Sequence, residues 1–113
     1  AVAQSGVYDV RFFTGEYNGD PAVYYNSPLD YLWNQDDPWF LERYRQNAYI
    51  VSVGQGDWEA PHISDTMRLE DAFSSKGIPG WFDYWGNDVA HDWPWWRQQM
   101  PYFLGKLEED GRI

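Results

Sequence analysis

A short β-branched run, Ala48-Tyr49-Ile50-Val51-Ser52-Val53, ends in Gly54-Gln55-Gly56-Asp57 and is followed by a stretch of helical character, and this order is the strongest constraint on the fold. A run so apolar and so short reads as a strand buried on both faces. Downstream, Ile63, Met67, Leu69, Ala72 and Phe73 supply an apolar helical face over about Ile63–Lys76, with Gly77 as its stop. Ile78-Pro79-Gly80 then turns into a second extended run, Trp81–Trp85. A last helix is expected from Pro94, capped by Asp92 or Trp93 and carrying Trp95, Trp96, Gln99, Met100, Phe103, Leu104 and Leu107, with Pro101 as an expected kink. Alternation of strands and helices calls for parallel strands joined by helical crossovers, so the expected class is α/β, with about three parallel strands flanked by helices.

The N-terminal third is less regular. Ala1-Val2-Ala3 is small and apolar, as if the chain opened inside a buried strand, and predicts a first strand whose N-terminal-side neighbour is missing. From Val7 to Trp33, Gly15, Gly19, Pro21 and Pro28 interrupt a segment crowded with Tyr8, Phe12, Phe13, Tyr17, Tyr24, Tyr25 and Tyr31. That pattern predicts a long aromatic excursion with short helical pieces, and loops of such length often bind ligands or act as lids. Asp36 or Asp37 is positioned to cap a helix that begins at Pro38 and runs to Asn47. No internal repeat is visible, and residues 1–113 read as a single segment.

Composition narrows the functions. The chain has 18 acidic and 8 basic side chains, a net charge of −10, which argues against binding a phosphate backbone. No apolar run approaches the ~20 residues that span a bilayer, so neither nucleic acid nor a membrane is an expected partner. Zero cysteines exclude disulfides, cysteine zinc sites and a thiol nucleophile. Without a leader-like opening the expectation is a cytoplasmic chain.

Two loops carry the chemistry. Gly54-Gln55-Gly56-Asp57 follows a strand, where α/β proteins expose functional groups, and Gly86-Asn87-Asp88-Val89-Ala90-His91-Asp92 lies between a strand and a helix. A histidine in such a loop is suited to general base and acid work, and a carboxylate at a neighbouring strand exit is suited to orienting it. Asp57 and His91 are thus the candidate acid and base. Glu59 and Asp88 are alternative carboxylates. Asp92, just before Pro94, is read as a helix cap, and His62, after Pro61, as a surface or capping residue. Trp58 and Trp93 are the candidate substrate-binding rings, while Trp85, Trp95 and Trp96 suit a pocket or the core. Gly54-Gln55-Gly56 lacks the third glycine of a nucleotide loop, and His62, Asp65 and Asp57 match no zinc or calcium spacing. No cofactor and no metal is expected.

These segments carry a resemblance. "VSVGQGD" and "GNDVAHDWPWWRQQMPYFL" resemble the C-terminal part of the α/β-hydrolase fold, and closely the esterases related to esterase D. "AVAQSGVYD" is similar to their sixth strand, "YNSPLDYL" and "DPWFLERYR" to the segment after it, and "SSKGIPGWFDYW" to the passage into the eighth strand. The resemblance covers nearly the whole chain and implies the triad order serine, acid, histidine, with Asp57 and His91 at the last two positions. It also implies a nucleophile elbow, G-x-S-x-G, upstream of Ala1. Ser52 lies within a strand without the first glycine, and Ser5 lacks the preceding glycine, so neither is a credible nucleophile.

The expectation is therefore a C-terminal fragment of a serine carboxylesterase-like hydrolase, acting on a small-molecule ester in the intact protein and inactive or nearly so alone. Such a piece is expected to associate with its missing N-terminal half or with copies of itself, because the edge of the first strand would be uncovered. Two other readings remain: an aromatic-rich module that stacks sugars, and a self-associating structural fragment without catalysis.

Overall fold

The computed structural model describes residues 1–15 and 21–113, so Tyr17 and Gly19 of the aromatic excursion lie outside the described residues. In chain order the elements are β1 (Val2–Gln4), α1 (Arg11–Thr14), α2 (Pro21–Tyr24), α3 (Pro28–Tyr31), α4 (Pro38–Gln46), β2 (Ile50–Val53), α5 (Ala60–Ser75), β3 (Trp81–Tyr84) and α6 (Trp93–Glu109). The strands form one parallel sheet in the order β1-β2-β3. This is the α/β arrangement of three parallel strands flanked by helices that the alternating pattern calls for.

Strand periodicity sorts the core into two layers. Val2, Ile50 and Trp81 are in register and meet Phe103 and Leu107 of α6. One position on, Ala3, Val51 and Phe82 are again in register and face the other way, onto a core that includes Leu29, Leu41, Leu69 and Phe73. Successive side chains of a strand point to opposite faces, so both faces are covered. All four residues of β2 are buried, as its continuous apolar run requires of a central strand. At the third register position the chain turns polar. Ser52 donates to Gln99 Oε1 at 3.1 Å, and Gln4 Nε2 donates to the same oxygen at 3.2 Å and to the Trp96 carbonyl at 3.0 Å. Gln99 is 1% exposed, so this small network fixes α6 on the sheet in a single register.

The helix ends follow local chemistry. Asp37 Oδ1 accepts from the Trp39 N–H at 2.9 Å with Pro38 at the first helical position, and Asp92 occupies the N-cap of α6. α6 runs through Pro101, which is exposed. α5 begins three residues before the expected Ile63, and Gly77 follows it at φ +64. The early start takes His62 out of the surface or capping position expected of it: it is 8% exposed inside the helix.

The segment after β1 is held to α5 by charge. Asp65 Oδ2 accepts the N–H groups of Tyr8 and Asp9 at 2.8 and 3.1 Å. Asp9 in turn accepts from Arg11 Nε at 2.8 Å and from Arg68 Nη2 at 3.2 Å. The hydrogen bond from Arg11 is the main reason that the Asp9 carboxyl titrates at about 2 instead of 3.8.

A second joint closes the C-terminal end of the sheet. The loop leaving β2 and the loop leaving β3 bond backbone to backbone: Gln55 N to Gly86 O, Gly56 N to Val89 O and His91 N to Asp57 O, at 3.1, 2.8 and 2.9 Å. A Cβ on Gly54 would stand 2.2 Å from the Val89 carbonyl oxygen, so glycine is what allows the loops to meet.

Two predictions follow from these joints. A group with a depressed folded pKa stabilises the fold above its unfolded value and loses that effect as pH falls through the folded one, so the Asp9 contribution fades from about pH 4 to about pH 2. Thermal melts of Asp9→Asn should therefore lie below those of the parent chain at neutral pH and converge with them near pH 2. Gly54→Ala should destabilise the chain by roughly 2–3 kcal/mol in denaturant unfolding, since backbone on both sides resists the added methyl.

Candidate active site

The exits of the three strands converge on one carboxylate. After β2 the chain passes Asp57 and then Trp58, whose φ of +69 is unusual for a bulky residue and reverses the path of the loop. Trp58 itself is 83% exposed, while the next residue, Glu59, is fully buried. From the exit of β1, Ser5 donates its hydroxyl to Glu59 Oε1 at 2.7 Å. Ser5 also has positive φ, and its N–H still continues the ladder to the Ser52 carbonyl at 2.8 Å, so the residue turns out of the strand without leaving it. Its Oγ accepts the Trp96 indole N–H at 3.2 Å.

From the exit of β3 comes His91, half-buried, with Nδ1 3.6 Å from Glu59 Oε1. Glu59 Oε2 and His91 Nδ1 are both buried and have no hydrogen-bond partner. The oxygen that lies 3.6 Å from His91 Nδ1 is the one that already accepts from Ser5, and hydrogen bonds of catalytic groups are commonly long before substrate is bound. The imidazole is held on its sides by other rings. His62 lies parallel to it, with centroids 4.2 Å apart and planes 4° from parallel, and Trp96 meets it edge-on at 4.8 Å. His62 Nδ1 is 3.3 Å from the Gly6 carbonyl.

Gln4, Ser5, His91, Trp93 and Trp96 line an open cleft of about 370 Å³. A larger hollow of about 590 Å³ lies among Asn47–Ile50 and Pro79–Trp81, at the other end of the strands. Volume alone would favour the second. The first is where open α/β sheets carry their ligands, outside the C-terminal ends of the strands, and it holds the histidine.

Of the residues singled out from the sequence, His91 stands in the cleft and Trp93 lines it, packed on Trp96 at 5.2 Å between centroids. Asp57 is exposed and meets His91 only through its carbonyl, by a backbone hydrogen bond of 2.9 Å. Trp58 faces solvent beside the loop, and Asp88 is exposed. Ser52 is buried under α6 on Gln99. Two members of the constellation, Ser5 and His62, have no sequence signature of their own, although Pro61 at the start of a helix is a signal for α5 beginning early enough to bury His62. The exposed rings that a sugar-binding plane would need are spread over α1, α4, the β2–α5 loop and α6, as Phe13, Trp39, Trp58 and Trp93.

No protein-family model matches this chain, and no curated protein matches it in sequence. Among solved structures it is similar to a ferulic acid esterase, with a TM-score of 0.67 at 20% identity over 91% of this chain and 39% of that chain. The chain thus spans well under half of that esterase, and shares with that part an esterase-like fold.

Proposed function

We propose that these residues are the C-terminal part of an α/β-hydrolase domain and supply the acid and base of a serine carboxylesterase, with Glu59 rather than Asp57 as the acid. The observation that carries the reading is a fully buried carboxylate 3.6 Å from the Nδ1 of a half-exposed histidine, at the C-terminal edge of a parallel sheet. The similarity to the ferulic acid esterase supports it at the level of the fold. The serine nucleophile and the oxyanion donors belong, on this reading, to the part of the protein that corresponds to the rest of that esterase. β1 pairs only with β2 among the described residues, so its outer edge is the natural place for that part to join the sheet.

The chemistry follows from the roles. Glu59 holds the proton of His91 on Nδ1, which leaves Nε2 with a lone pair. Nε2 accepts the proton of the serine hydroxyl as its oxygen adds to the ester carbonyl, and the resulting imidazolium is stabilised by Glu59. The proton then passes to the departing alcohol as the acyl-serine forms, and the same imidazole activates the water that cleaves it. Ser5 keeps Glu59 in place by occupying one of its oxygens. Trp93 borders the cleft and is the ring best placed to contact an acyl or alkoxy group, whereas Trp58 lies outside the cleft lining.

The test uses the natural protein that contains these residues and an activated ester such as p-nitrophenyl acetate, with a ferulate ester as the second substrate. Glu59→Gln and His91→Ala should each lower kcat by about 10³–10⁴-fold, while Asp57→Asn stays within about threefold of the parent. A full loss in Asp57→Asn with activity kept in Glu59→Gln would return the acid role to Asp57. Ester turnover by the 113-residue chain on its own would overturn the division of the site between two parts of the protein.

A further inference from the structure

We propose that His62 is a positioning residue for His91: its ring is the wall that fixes the plane of the second imidazole. The proposal rests on the reading of His91 as the base, but its geometry stands apart from that reading. The two rings are stacked at 4.2 Å and 4°, a contact that a turn of His91 about its ring torsion would break. Terminal torsions of histidine are broad and roughly two-fold, so an imidazole beside a carboxylate needs some such restraint to keep Nδ1 on the acid. Trp96, edge-on at 4.8 Å, supplies the second contact, and its indole is itself tied to Ser5.

The wall is anchored at the same strand exit as the acid. Nδ1 of His62 is 3.3 Å from the carbonyl of Gly6, the residue after Ser5, and Ser5 holds Glu59. The acid is thus bonded through the side chain of one residue and the stacking ring through the backbone of the next. His62 is 8% exposed, and Phe12 lies against it at 6.0 Å between centroids, so the ring has little freedom to leave its place. With the Gly6 carbonyl as acceptor, His62 carries a proton on Nδ1.

Three substitutions separate the ring from the hydrogen bond. His62→Phe keeps a flat ring and loses the donor, His62→Asn keeps a donor near the position of Nδ1 and loses the ring, and His62→Ala loses both. The chain has two histidines, so ring-proton resonances are assigned to His91 directly in every variant. In the unsubstituted chain we expect nuclear Overhauser contacts between the two imidazoles and upfield-shifted His91 ring protons. The upfield shift should persist in His62→Phe and move toward free-histidine values in His62→Asn and His62→Ala. Kinetically, in the natural protein, His62→Asn and His62→Ala should lower kcat by about 10–100-fold with KM within about twofold, and His62→Phe should recover most of the loss. Absence of contacts between the imidazoles, or His91 resonances unmoved in His62→Asn, would overturn the proposal. So would equal kinetic losses in the Phe and Ala variants. If the protein hydrolyses no ester, the kinetic arm reports the failure of the esterase reading, and the resonances still decide whether His62 positions His91.

Discussion

A carboxylate without solvent access is the constraint around which one end of this molecule is arranged. Glu59 is completely buried, and a buried polar group left without a partner costs about 1–3 kcal/mol, so the groups around it are not free to vary. Ser5 donates to Oε1, the same oxygen lies 3.6 Å from the His91 imidazole, and Oε2 has no hydrogen-bond partner. Each of those partners comes from a different strand exit. The sheet must therefore be in register, and both loops closed, before the acid is compensated.

Much of the unusual backbone of the chain serves that closure. Trp58 accepts a positive φ that no contact of its exposed side chain explains, and the turn it makes is what separates an exposed Asp57 from a buried Glu59 two residues later. Ser5 makes a similar turn at the end of β1. Gly54 and Gly56 give up side chains so that the β2 and β3 exits can share backbone hydrogen bonds. Strain of this kind costs of order 1–3 kcal/mol per residue and persists where surrounding structure demands it. Among the described residues, the two non-glycine positions with positive φ, Ser5 and Trp58, both lie at this end of the sheet.

Periodicity made the architecture legible in the sequence. The β-branched run of β2, the Asp37-Pro38 start of α4, Asp92 ahead of α6 and Gly77 after α5 are local signals, and each element falls within a few residues of where those signals place it. The place of His91 in the loop between β3 and α6 was legible as well, because a histidine in a strand-to-helix loop is rare enough to notice. Which of Asp57 and Glu59 is buried was not. Both follow the same strand, and only the reversed turn at Trp58 decides which of them enters the core. His62 was hidden for a related reason: its burial depends on where α5 begins, and helix boundaries are the least determined part of a propensity argument. Ser5 gains its meaning from a neighbour 54 residues away, which no local pattern encodes.

The polar groups of the core and those of the cleft form adjoining sets. Gln4, Ser52 and Gln99 lock α6 to the sheet, and the Gln4 amide also reaches the Trp96 carbonyl. Trp96 then bonds Ser5 and abuts His91. The helix that covers one face of the sheet is thus the same one that braces the imidazole, and a change that loosens α6 must also loosen the ring. For this reason large truncations near the cleft confound stability with chemistry. Near-isosteric changes such as Glu59→Gln separate them better, since they alter charge or hydrogen bonding while leaving the volume that α6 packs against. The same reasoning explains why so small a sheet devotes buried polar side chains to both tasks. A polar group in the core fixes one register where an apolar one would accept several, and a site assembled from three strand exits works in one register only.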